Sequence, residues 1–162
     1  MTTATFLADA FRRSLHVIQL QADGMTQADS LVQLPFRGNC MNWLVGHVVT
    51  NRGNVFRLLG HESLADPAVD ARYGRESEPI AGEGPGIFQL EDLLSMLERM
   101  QAQLEDLLGS VSRTELDRQV AFFGNRSMSV EEWLLFFYFH DSYHAGQTEI
   151  LRQAAGKDDR VI

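Results

Sequence analysis

Apolar residues return every three to four positions in four separate stretches of this chain, the spacing that puts one apolar stripe on an α-helix. In residues 3–22 the stripe is Leu7, Phe11, Leu15, Ile18 and Ala22, with Asp23-Gly24 as a stop. Residues 26–34 are too short and mixed to assign, and Pro35 with Gly38-Asn39 marks a break. A second helix is expected from an N-cap at Asn39 to about Leu59, with Gly60 suited to the left-handed position after its end. The third, residues 89–108, carries Leu90, Leu93, Leu97, Met100, Leu104 and Leu107, flanked by Leu94 and Leu108 and ended by Gly109. The fourth opens on Ser129-Val130-Glu131-Glu132, a capping box, and runs to about Ala155, with Gly156 behind it. Just before it, residues 119–128 suggest a small hairpin turning at Gly124-Asn125. Residues 61–86 show no sustained period and are rich in Pro, Gly and charge. Extended chain of that length spans a bundle helix, so the second and third helices can lie parallel across a crossover. Long loops often carry function, which makes Arg72, Tyr73 and Arg75 substrate-binding candidates.

Two of the stripes are interrupted. The second helix reads Cys40, Leu44, His47, Asn51, Asn54, Leu58; the last reads Trp133, Phe137, His140, His144, Gln147, Leu151. Both are apolar at the ends and polar in the middle. Residues four apart stand about 5–6 Å apart on one helix face, so His140 and His144 can aim their ring nitrogens at one point. His47, in the polar middle of the other stripe, is the natural third ligand. Three neutral imidazoles leave coordination positions free for water or substrate, the pattern of an open site rather than a closed structural one. Zinc is the default; nickel, iron and manganese remain open. The plainer alternative is that such histidines are hydrogen-bonded core or surface residues, since short motifs also arise by chance. His16 and His61 are expected to be solvated. His140-Asp141-Ser142-Tyr143-His144 has the outer spacing of a zincin, but Asp141 stands where the general-base glutamate belongs and no third protease ligand follows.

Composition narrows the partners. The 162 residues carry a formal charge of −8, with no concentrated basic patch, which argues against nucleic acid and anionic membrane. No apolar run approaches the ~20 residues of a membrane span. The single cysteine, Cys40, forms no internal disulfide and reads as a buried structural thiol. A soluble single-domain protein of a reduced compartment, the cytoplasm, is expected.

Asn42-Trp43-Leu44-Val45-Gly46-His47, His140-x-x-Tyr143-His144-x-Gly146-Gln147, and Leu151-Arg152 followed by Gly156 together resemble the DinB-like (DinB/YfiT) superfamily of metal-dependent enzymes. The resemblance covers nearly the whole chain. It implies an all-α, up-down-down-up four-helix bundle with a long crossover between helices 2 and 3. It also implies a zinc or nickel site on His47, His140 and His144, and a homodimer. Members similar in pattern include S-transferases that use a low-molecular-weight thiol cosubstrate, and a mycothiol-dependent isomerase. A thiol-dependent S-transferase or hydrolase is the expected activity; the alternative is a non-catalytic metal-binding or stress-associated interaction module. Beyond the ligands, Gln147 and Asn51 each lie one turn past a histidine and can orient a ligand ring or a water, or be satisfied by backbone. Tyr143 and Asp141 point away from the seam and are expected to buttress a neighbouring helix or a dimer. The aromatic run 136–139 is expected to be core and interface packing.

Overall fold

The computed structural model describes residues 3–124 and 126–162. Four long helices carry the fold: α1 (Thr3–Ala22), α3 (Met41–Leu58), α5 (Leu90–Ser110) and α7 (Val130–Ala154). Between them lie the short helices α2 (Gln27–Ser30), α4 (Pro67–Tyr73) and α6 (Arg113–Asp117), and a hairpin of β1 (Gln119–Ala121) and β2 (Ser127–Ser129). Helix α1 packs on α5 and α7, and α3 packs on the same two, so the apolar stripes meet in one shared core. Leu7, Phe11 and Ile18 of α1, Leu93, Leu97, Met100 and Leu104 of α5, and Trp133 and Phe137 of α7 are almost wholly removed from water. Each such side chain contributes on the order of 1.5–3 kcal/mol of burial.

The caps explain where the helices start and stop. Ser129 accepts from the Glu132 amide, and the Glu132 carboxylate accepts from the Ser129 amide, closing the expected box at the start of α7. Gly60 and Gly156 take left-handed backbone (φ 81° and 80°) just past the ends of α3 and α7. Two expected ends move. Asn39 lies outside α3, and Cys40 is its N-cap; the thiol makes no cap hydrogen bond, and its burial in the core fixes the residue there instead. Gly109 does not stop α5. The helix runs on to Ser110, whose hydroxyl donates to the carbonyls of Asp106 and Leu107 and thereby satisfies acceptors that a helix end leaves open.

The connection after α3 is not featureless. Asp66 caps α4, Pro67 opens it, and Val69 and Tyr73 anchor it in the core. The hairpin pairs Gln119 with Ser129 and Ala121 with Ser127. Gly124 has φ 61°, while Asn125, the other half of the expected turn, lies outside the described residues. Of the run 136–139, Phe137 is buried, whereas Phe136 and Phe139 stand 36% and 66% exposed, because a buried helix face recurs every three to four residues and cannot admit four in succession. Among the described residues, no helix is long and apolar enough to cross a membrane.

Candidate metal centre

The two interrupted stripes face each other where α3 packs on α7. Trp133, Phe137 and Leu151 at the ends of the α7 stripe are buried, as are Cys40, Leu44 and Leu58 on α3, so the polar middles lie at matching depth. There His47, His140 and His144 each bring one ligand atom within 4.8 Å of the other two. The Nε2 of His140 lies 3.2 Å from that of His47 and 3.1 Å from that of His144.

The far side of each ring decides what these nitrogens offer. His47 Nδ1 donates to the backbone carbonyl of Tyr73 at 2.8 Å; a carbonyl only accepts, so the proton sits on Nδ1 and Nε2 keeps its lone pair. Asn51 donates to that Nε2 at 3.2 Å and to the His47 carbonyl at 2.9 Å. His144 Nδ1 donates to Gln147 Oε1 at 2.7 Å, which turns its Nε2 lone pair inward as well. His140 Nδ1 is buried and has no hydrogen-bond partner among the described residues. Three Nε2 atoms thus converge on one volume, at least two of them as acceptors, and a cation placed between them satisfies all three at once. Burial lowers the pKa of every ring: His47 falls below its ordinary value, His140 to about 3 with help from the charge of its neighbours, and His144 to about 4 against the pull of Gln147. The rings are therefore neutral at pH 7, the state in which imidazole binds metal. This arrangement is compatible with metal binding.

The second helix's sequence Asn42-Trp43-Leu44-Val45-Gly46-His47 is explained by what holds His47. Trp43 stacks on the His47 ring at 4.6 Å and 15°, and its indole N–H donates to Ser77 Oγ. Tyr73 lies flat on α3 at Gly46, where a Cβ would stand 2.3 Å from its ring. The Tyr73 hydroxyl donates to Asn42 Oδ1 at 2.8 Å and accepts from the Phe88 amide, while Asn42 donates to the Phe88 carbonyl. The connection 61–86 is thus stitched to the helix that carries His47.

The other loop candidates separate. Arg72 donates to the carbonyls of Glu78 and Pro79 and braces the connection; Tyr73 is fully buried; Arg75 lines a cavity beside the histidines. That cavity, about 470 Å³, reaches His47 and His140 and is walled by Phe123, Trp133 and Phe136. A second, about 780 Å³, reaches His144 and Gln147 and is lined by Phe36, Tyr143 and Ile150. His16 and His61 are exposed, far from this chemistry.

Beside the site, and unforeseen from the sequence, lies buried Arg52. Its guanidinium pairs with Asp141, donates to Gln101 Oε1 at 2.6 Å and to the Phe11 carbonyl at 2.8 Å, and covers the Phe11 ring. One side chain of α3 therefore holds α7, α5 and α1. The signal was a lone arginine in the apolar stripe Val45, Val48, Val49, Phe56. Asp141 buttresses a neighbouring helix, facing the core one residue after His140 faces the site.

None of the curated proteins compared with this chain is similar to it. A solved structure described as the conserved protein of locus from Enterococcus faecalis is similar with a TM-score of 0.74, at 13% identity over 96% of this chain and 98% of that one, a likeness of fold alone. The sequence model of the DinB superfamily matches residues 10–148, across both histidine-bearing helices, and the chain accordingly belongs to the DinB superfamily.

Proposed function

We propose that this protein is a metal-dependent enzyme acting on small molecules, with His47, His140 and His144 holding one divalent ion, zinc or nickel. The observation that carries the reading is the convergence of three Nε2 atoms whose opposite nitrogens, on His47 and His144, are tied to acceptors. When bound, the ion supplies Lewis-acid chemistry, lowering the pKa of a water or thiol that reaches it. The protein's own groups do the rest. Tyr73 and Gln147 fix the two ring tautomers, burial keeps the rings unprotonated, and the two flanking cavities admit reactants to an open coordination sphere. Transfer of a low-molecular-weight thiol to an electrophile, or hydrolysis, fits such a site. We read the four long helices as an up-down-down-up bundle with 61–86 as its crossover. A cytoplasmic homodimer is part of the same reading, as is the absence of nucleic-acid and membrane partners.

The test is isothermal titration of tag-free, metal-stripped protein with zinc and nickel. One ion per chain is expected, with uptake lost in His144→Ala. No stoichiometric uptake, or unchanged affinity in that variant, refutes the site; turnover of thiol and electrophile panels only in the loaded protein identifies the chemistry.

A further inference from the structure

The cavity beside His47 and His140 differs in charge from the molecule around it. The chain carries 22 acidic residues against 14 basic ones, yet this cavity is lined by Arg75 and Arg126 and by no carboxylate. The larger cavity beside His144 carries one charge of each sign, Arg37 and Glu76. Neither arginine of the smaller cavity is spent on a buried partner. Among the described residues Arg75 pairs only with Glu76, at 3.9 Å and with both side chains almost fully in water, a pairing of little strength. Glu132, the acid that feels the charge of Arg126, accepts at Oε2 from the amide and hydroxyl of Ser129. Asn54, also in the lining, gives its Oδ1 to Arg57 and keeps its NH2 as a donor. The same lining includes an apolar wall: Phe123 and Phe136 set edge-to-face against Trp133 at 5.5 and 5.6 Å.

Donors of one sign, an aromatic wall and two of the three clustered imidazoles suit one kind of guest. We propose that this cavity binds a small organic carboxylate with an aromatic or alkyl body, its anionic end held by Arg75 and Arg126 and its reactive end directed to His47 and His140. Planar guanidinium forks match a carboxylate, and two of them on one cavity bring two positive charges to the same guest. The inference rests on the histidine cluster being the reactive end of the site, and it names the substrate class that site takes.

The experiment is an NMR titration with phenylacetate and its neutral isostere phenylacetamide, following the Trp133 indole N–H in chelated and in zinc-loaded protein. Chelated protein removes direct contact between carboxylate and metal as a source of preference. Phenylacetate is expected to bind about fivefold to tenfold more tightly than the amide, the scale of two ion pairs whose arginines stay largely in water. That preference should collapse to within about twofold in Arg75→Ala/Arg126→Ala, whose altered residues are exposed, and partly return in the double lysine variant. Equal affinities in the unaltered protein, or a preference that survives in the double alanine variant, overturns the proposal. Protein that binds no metal but keeps the arginine-dependent preference refutes the metal reading alone; protein that binds metal without the preference refutes the carboxylate site alone.

Discussion

Removing the Asp141 carboxylate from beneath Arg52 tests the structure most sharply. Both side chains are out of water, 0% and 1% exposed, and the guanidinium's other contacts, Gln101 and the Phe11 carbonyl, are neutral acceptors. Asp141→Ala therefore leaves a buried positive charge without a counter-ion, a loss of about 3–5 kcal/mol. Domains of this kind have roughly 5–15 kcal/mol in all. For 162 residues, at about 2 cal/mol/K of unfolding entropy per residue, such a loss lowers Tm by roughly 9–15 °C. The double change Arg52→Met/Asp141→Ala removes both charges, so it should lose much less than the summed losses of Arg52→Met and Asp141→Ala and show strong coupling in the double-mutant cycle. Urea denaturation of the four proteins without metal, followed by circular dichroism, gives the numbers. A loss below about 1 kcal/mol for Asp141→Ala, or additive effects in the cycle, would show that the pair is not the shared anchor of the four long helices.

Gly46→Ala drives a methyl into the Tyr73 ring, which has no room to retreat, and should lose about 1–3 kcal/mol while weakening metal uptake, because the Tyr73 carbonyl moves with the ring. Gly109→Ala, with open space around the added carbon inside α5, should gain about 0.5–1 kcal/mol; parallel thermal melts and zinc titrations separate the two. Acid should destabilise the metal-free protein through its histidines. Unfolded imidazoles titrate near 6.5, whereas folded His144 and His140 are held at about 4 and about 3, so the unfolded chain binds more protons. The stability they supply is complete above about pH 6.5, is lost progressively as pH falls below that value, and is gone by about pH 4 for His144 and about 3 for His140. The urea midpoint should drop across that window, and less steeply in His140→Ala/His144→Ala; identical slopes would show that the cluster does not hold off its protons.

Much of this architecture was legible because each long helix repeats its apolar stripe over five turns, and because polar residues break two stripes at the same depth. The His47, His140 and His144 grouping follows from that alone. Shorter elements were hidden for a physical reason. Helix α4 has only two core residues, Val69 and Tyr73, spaced one turn apart, too few to establish a period. Asn39 was the better capping residue by chemistry, yet burial of Cys40 set the start of α3, a tertiary effect that no local propensity contains. The role of Arg52 was hidden because its partners Gln101, Asp141 and the Phe11 carbonyl come from three distant segments. Tyr73 is a substrate-binding candidate by its side chain, whereas its backbone oxygen is what meets the site, and side-chain identity carries no record of where a carbonyl points.

That last feature bears on how the protein tolerates change. A side-chain acceptor for His47 could be erased by one codon; a main-chain oxygen cannot. The ring's proton is governed by the route of the backbone through residues 61–86, so most of that segment is free to drift in sequence provided the route survives. The vulnerable points are instead those that fix the route: the vacancy at Gly46, the amide of Asn42, and the hydroxyl of Ser77 beneath Trp43. Shortening the connection to make a tighter protein would take away the atom that decides which nitrogen His47 presents.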